Sequence, residues 1–431
     1  NEEKKKEFEI NHFIVRHPLV YYEVYKGEEL AYTKGDFRDL VASWKVGNDA
    51  FFDLWLCDEN RREYQSVKWV PLKGDGGSEY FNSYKGFAID EVEGDEIDEE
   101  VVEEFMKLLL HLTDGDEDAK NYLVKYWAHL FQKPEIMPKT AILFKGVQGA
   151  GKDLMMDIIE GILGKDLMFR DDSMVNVVGQ FNVGLKNKLI VQLNEVSGAG
   201  GHFNKEALKG IITTEEFQIN EKREKLIKSQ NYIRLILATN NINAISIPYD
   251  DRRYLVFKTG GRKEWSFYDR LHEIKDKVAL KSIYNYLFRF KLGDFMPDNP
   301  KDRVKTVAYK QLQDLNRNPF YEFLRIFIGD CHLNDDIIWV EKNKRHYVRY
   351  RDVESQYTDW LYSMDYDLGN PKTPTSNPKR NKAVLLECGA IEKTANLNGK
   401  GSTRYYTLDI PNLIIKLDKE HGFSKPEEIT I

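Results

Sequence analysis

Apolar residues recur at three- and four-residue spacing in EEVVEEFMKLLLHL (99–112) and in NYLVKYWAHLFQ (121–132), which predicts two amphipathic helices that end before Pro134 and Pro138. Upstream, to about residue 90, the pattern is one of short aromatic strands separated by turns, as in HPLVYYEVYKGEELAYTKG and EYFNSYKGFAID. Between about Thr140 and Gly261 it changes again, to apolar strands parted by glycine-bearing loops and helices, the texture of an α/β domain with a largely parallel sheet. A further helical stretch, WSFYDRLHEIKDKVALKSIYNYLFRF, follows. The remainder combines helices such as YRDVESQYTDWLYSM with a basic loop and the strand-like RYYTLDI, an order that predicts a small winged-helix-like domain. The expected segments are therefore 1–95 (α+β lead-in), 96–138 (helical), 139–262 (α/β core), 263–317 (helical) and 318–431 (winged-helix-like).

Chemistry enters at FKGVQGAGKDLMM (144–156). Gly146, Gly151 and Lys152 fit the phosphate-binding pattern GxxxxGK[ST], in which backbone N–H groups wrap phosphates and the lysine reaches the β and γ oxygens. AILF before the loop reads as a buried strand and DLMMDIIEGILG after it as an amphipathic helix, so the loop joins a strand to a helix N-terminus, where an anion is favoured. Gly146, Gly149, Ala150, Gly151, Lys152, Asp153 and Leu154 are the expected nucleotide contacts. Asp153 stands where the pattern has a hydroxyl for Mg²⁺.

A second apolar strand, KLIVQLNEV, ends in Asn194 and Glu195, where two acids are usual; one would sit near the metal and the other orient the attacking water. One reading moves the metal-associated carboxylate from that strand to the loop, with Asp153 and Glu195 serving Mg²⁺. The other is that metal binding and hydrolysis are weakened together. A third strand, YIRLILATNN, ends in Asn240 and Asn241, suited to hold a water or a γ-phosphate oxygen. DDRRYLVF then offers Arg252 and Arg253, either as surface ion pairs or as an arginine reaching a neighbouring subunit's site in a ring of ATPases.

Four motifs in this order, GVQGAGKD, LIVQLNEV, LILATNN and DDRRYLVF, resemble those of superfamily 3 helicases of viruses and phages. The segment LKGIITTEEFQINEKREKLIKSQNYIRL is similar to the one that in this superfamily forms a hairpin in the ring's central channel. Upstream, WLCDENRREYQSVKWVP and EYFNSYKGFAI look like the lead-in of the helicase half of phage primase-polymerases and poxvirus-type primase-helicases, so the likeness spans roughly residues 50–262. The resemblance implies an AAA+-like ATPase core and a hexameric ring translocating on single-stranded DNA with ATP and Mg²⁺, in the cytoplasm of a bacterial host. Asp153 and Asn194 depart from the family pattern and bear on hydrolysis more than on binding.

Charge modifies this picture in two places. The chain is acidic overall, at −7, yet residues 217–234 carry five bases (Lys222, Arg223, Lys225, Lys228, Arg234) against Glu221 and Glu224, an excess suited to backbone phosphates. Residues 371–404 carry seven bases against two Glu, and Lys379, Arg380, Lys382, Lys393, Lys400 and Arg404 are expected to touch nucleic acid, the alternative in both places being a solvated surface. Residues 90–104 hold ten acids and no base, the composition of a linker or helix start. Cys57, Cys331 and Cys388 lack metal-ligand spacing, which fits a reducing compartment. The first methionine is Met106, from which an upstream primase or polymerase part is expected. Beside the helicase reading stand a ring that binds nucleotide without turnover and positions a polymerase, and a loader-type ATPase acting on proteins.

Overall fold

The computed structural model describes residues 2–72, 77, 79–179, 182–194, 201–220, 227–240, 251–315, 319–329, 338–340, 345–363, 378–397 and 402–421. Two compact units emerge: Asn1–Ala244 with Arg253–Thr306, and Ile245–Arg252 with Val307–Ile431. No helix among the described residues is long and apolar enough to cross a membrane.

The first unit opens with a four-stranded sheet of His12–Val15, Val20–Tyr25, Glu28–Tyr32 and Glu63–Tyr64. Its core is aromatic. Phe8 is fully buried and meets Phe51 and Trp55 edge-on, with both ring centroids 5.1 Å away.

Helices α1 (Glu99–Leu112) and α2 (Glu117–Gln132) follow. Asp98 caps α1 by accepting from the backbone N–H of Glu100 and Val101, and Asp116 caps α2 through Ala119. Three acids of the run are thereby accounted for, since Asp98, Glu99 and Glu100 lie where a helix dipole favours negative charge. Val102, Phe105, Leu108, Leu109 and Leu112 form the buried stripe that the spacing predicts.

A five-stranded parallel sheet comes next, made of β1 (Ala141–Lys145), β2 (Met168–Asp171), β3 (Ile190–Leu193), β6 (Arg234–Thr239) and β7 (Tyr254–Lys258). Its order is β2-β3-β6-β1-β7. Helix α3 (Lys152–Leu163) follows β1, and α4 (Gly201–Thr213) follows β3. An antiparallel hairpin, β4 (Glu216–Ile219) with β5 (Ile227–Gln230), is inserted before β6. After the sheet come α5 (Trp265–Glu273) and α6 (Lys277–Arg289), and both helical pairs join the sheet in one apolar core. The edge strand β7 is covered, because Arg303 donates to Tyr254 O at 2.8 Å and the Thr306 hydroxyl to Val256 O.

Arg234, expected as one base of a DNA-facing excess, is instead fully buried at the start of β6. Its guanidinium donates to the carbonyls of Lys133, Pro134, Ile136 and Tyr232, closing the end of α2, and to His129 Nδ1 at 3.2 Å. A buried charge is tolerable only with partners of this kind, here gathered on its two terminal nitrogens. Burial first, then Arg234 and Lys133, pushes His129 down to about 3. The folded state therefore holds His129 neutral while the unfolded chain binds a proton below its ordinary value of about 6.5. Stability should be intact above that value and fall as pH drops from 6.5 toward 3, by about 1.4 kcal/mol per pH unit from this group. His12 and His111 are also lowered, so the check compares urea midpoints at pH 7 and 5 for the parent and for His129→Asn, whose slope should be shallower.

The second unit is built from α7 (Pro319–Gly329), β8 (Ile338–Val340), β9 (Arg345–Val348), α8 (Tyr350–Ser363), α9 (Pro378–Glu387), β10 (Ile391–Ala395), β11 (Thr403–Leu408) and α10 (Ile410–His421). Its sheet runs β8-β9-β11-β10, entirely antiparallel. Phe320, Leu324, Val353, Tyr357, Leu385 and Leu417 are among the side chains of its separate core.

Candidate functional site

β1 is buried from Ala141 to Phe144 between β6 and β7, as a strand covered on both faces must be, and so delivers the loop of residues 146–151 from mid-sheet. Each pattern glycine has a reason. A Cβ at Gly146 would lie 1.8 Å from Thr259 Oγ1, while its N–H donates to Thr239 O at 3.0 Å. Gly149 and Gly151 take φ of +79° and +92°, the left-handed region, and Gly151 is the N-cap of α3. Lys152 curls back over the loop and donates to Gly146 O at 2.8 Å. Burial lowers its pKa, and Asp153 opposes that shift.

A cavity of about 570 Å³ opens at the C-terminal edge of the sheet, where α/β folds place ligands. Gly149, Gly151, Lys152, Asp153, Leu154, Asn194 and Asn240 all line it. Ala150 is buried in the loop, against the ring of His111 from α1. His111 is held below its ordinary pKa by burial and then by Lys263, and its own carbonyl accepts from Gly260 N at 2.8 Å.

Gln192, in the middle of β3, ties two of the unusual positions together. Its Nε2 donates to Asp153 Oδ1 at 3.0 Å and to Asn194 Oδ1 at 2.8 Å. The loop carboxylate and the amide after β3 thus converge on one side chain. Asp172 also lines the cavity. Among the described residues no group of three or more His, Cys, Asp or Glu is gathered as a metal site. Mg²⁺ needs fewer, because it is usually held by one or two carboxylates with phosphates and water, so the exposed Asp153 fits such a role.

Neither Arg252 nor Arg253 is among the residues that line this cavity. Arg253 immediately precedes β7 and its carbonyl accepts from Ala141 N at 2.8 Å, which puts it beside the start of β1, at the end of the sheet opposite the loop. Glu195, Asn241, and the hairpin bases Lys222, Arg223 and Lys225, with Lys400, lie outside the described residues. Lys228 is exposed on β5. In the second unit, Lys379 and Arg380 fall in the first turn of α9, and Lys393 is exposed on β10. Lys382 and Arg404 both turn to Glu392, at 3.4 and 3.0 Å, so part of this basic segment is neutralised locally.

Pattern reading missed Gln192 and the cations Arg262 and Lys263, which line the cavity after β7. Arg262 donates to Gln148 O at 3.3 Å and lies over Gly149. A polar residue inside the apolar strand LIVQL, and a base pair behind two glycines in GGRKEW, were the available signals.

Comparison with known proteins places this arrangement. Residues 144–253 match the model of a family of unknown function, DUF5906. The DNA primase-polymerase of Nitratiruptor phage NrS-1 is 31% identical over 204 residues, which are 46% of this chain and 28% of that protein. Over those 204 residues this chain is similar to that primase-polymerase. The chain covers little more than a quarter of its relative's length. Two apo structures of the NrS-1 C-terminal region share the fold. One has a TM-score of 0.63 at 22% identity and covers 92% of this chain and 95% of its own. The other has a TM-score of 0.61 at 21% identity, with the same coverage.

Proposed function

We propose that this chain is an ATP-dependent, superfamily 3-like DNA helicase module of a phage replication protein, acting as a ring on single-stranded DNA beside a primase-polymerase part. The observation that carries the reading is the phosphate loop at the C-terminal edge of a parallel sheet ordered β2-β3-β6-β1-β7, with Lys152, Asp153, Asn194 and Asn240 around one cavity. That combination supports an AAA+-like core. The helix–strand–strand–helix–helix–hairpin order of the second unit, with α9 before the β10–β11 hairpin, supports a winged-helix-like DNA contact.

In this reading the backbone N–H groups at the start of α3 and Lys152 bind the β and γ phosphates. Asp153, oriented by Gln192, would hold Mg²⁺, whose positive charge would offset that of the phosphates. Glu195 orients water, Asn240 holds a γ oxygen, and Arg252 or Arg253 acts in the neighbouring subunit's site. The hairpin bases Lys222, Arg223, Lys225 and Lys228 track the DNA backbone in the channel.

A second reading has one observation in its favour: Asn194 stands where an acid would complete the metal site, and Gln192 already occupies one oxygen of Asp153. That reading is a ring which binds nucleotide without turnover and positions the polymerase on its template. Steady-state ATP hydrolysis measured with and without single-stranded DNA separates the two. Turnover that rises on adding DNA is expected; tight ATP binding with negligible turnover in both conditions would select the non-hydrolysing ring.

A further inference from the structure

Trp265, at the first position of α5, is 78% exposed, whereas Trp44, Trp55, Trp69, Trp127 and Trp360 are buried or half-buried. Large aromatic side chains owe most of their contribution to burial, so an indole left open in a cavity wall is available to a partner. Trp265 lines the candidate nucleotide cavity together with Tyr268 and His272. Positions i, i+3 and i+7 fall on one helical face, so α5 turns a ring-bearing side toward the cavity.

The height of that face is set by Tyr268. Its hydroxyl accepts from Lys263 N at 3.1 Å, and a Cβ added at Gly151 would lie 3.4 Å from its ring. The helix is thus seated against the residue that caps α3, where the phosphates would end. One turn back, about 4.5 Å along the axis, stands Trp265. Arg262 and Lys263, in the turn between β7 and α5, line the same wall and supply positive charge between the loop and the indole.

We propose that Trp265 is the platform on which the base of the bound nucleotide stacks, and that Tyr268 is the positioning residue that fixes it relative to the phosphate loop. The proposal rests on the nucleotide-binding reading of that loop and adds where the nucleoside lies. Stacking needs only a π-face, so the platform holds a nucleobase without reading its edge.

The test measures binding of ATP and of inorganic tripolyphosphate, in Mg²⁺ buffer, to the whole chain and to Trp265→Ala and Trp265→Phe. Trp265→Ala should weaken ATP by about tenfold to a hundredfold, the usual worth of one stacked base, and leave tripolyphosphate unchanged. Trp265→Phe should restore most of the ATP affinity. In addition, ATP but not tripolyphosphate should quench part of the parent's tryptophan emission, and that part should be missing from Trp265→Phe. If Trp265→Ala bound ATP as the parent does, or lost both ligands equally, the platform would be refuted while the phosphate loop stood. If the parent bound neither ligand, both readings would fall.

Discussion

Replacing Lys152 by alanine is expected to weaken nucleotide binding severely and abolish turnover while leaving the fold intact. The loop supplies one cation of its own beside the β and γ phosphates, and a hydrogen bond from a charged donor is worth about 1.5–3 kcal/mol, so affinity should fall by about tenfold to more than a hundredfold. In the free protein Lys152 spends that donor on Gly146 O and, at 3.5 Å, on Val147 O, both carbonyls of an exposed loop that water can satisfy instead. Its half-buried ammonium has a lowered pKa, which marks a site that gains from an incoming anion. Calorimetric titration with ATP, alongside a urea midpoint, checks both halves of the expectation. Unchanged ATP affinity would remove the loop from the site.

The arginine pair carries the other large effect. An arginine acting across a subunit boundary contributes about a thousandfold or more to turnover, whereas a surface ion pair is worth about 1 kcal/mol of stability at most. Arg253 is remote from the chain's own loop: it lies just before β7 and the loop faces the far end of that strand, about 16 Å away over five residues. Each complete site would then need two subunits. Lys152→Ala and the double variant Arg252→Ala, Arg253→Ala should each be inactive, yet rings mixed from both should regain part of the parent's hydrolysis, because an intact loop on one subunit can meet an intact arginine from the next. No recovery in rings demonstrated to be mixed would assign the pair to structure.

How far the sequence could carry these arguments depends on how local each determinant is. The loop was legible because its requirements lie within seven residues: a buried strand, glycines at +79° and +92°, and a helix start. The hairpin before β6 was legible as a segment, and α1 and α2 from their buried stripes. Gln192, Arg262 and Trp265 were not, since Gln192 acts from inside β3 through Asp153 and Asn194, and the cavity that Arg262 and Trp265 line is closed by the segment after β7, far along the chain from the loop. Gly146 makes the same point, as it is held to glycine by Thr259, which no local pattern links to it. Arg234 was misread for a related reason. Counting bases in a window cannot tell a guanidinium that faces DNA from one that closes a helix end, and only the carbonyls of Lys133, Pro134 and Ile136 decide between them.

Strand β7 joins two places that the proposed chemistry keeps in different active sites. At its far end Thr259 N donates to Lys145 O at 2.9 Å and Gly260 N to His111 O, beside the phosphate loop; at its near end Arg253 meets the start of β1. Between them every residue is in register with β1, so the strand cannot lengthen or slip without losing its ladder. In the proposed ring, a single strand would thus span the phosphate loop of one site and the arginine lent to the next.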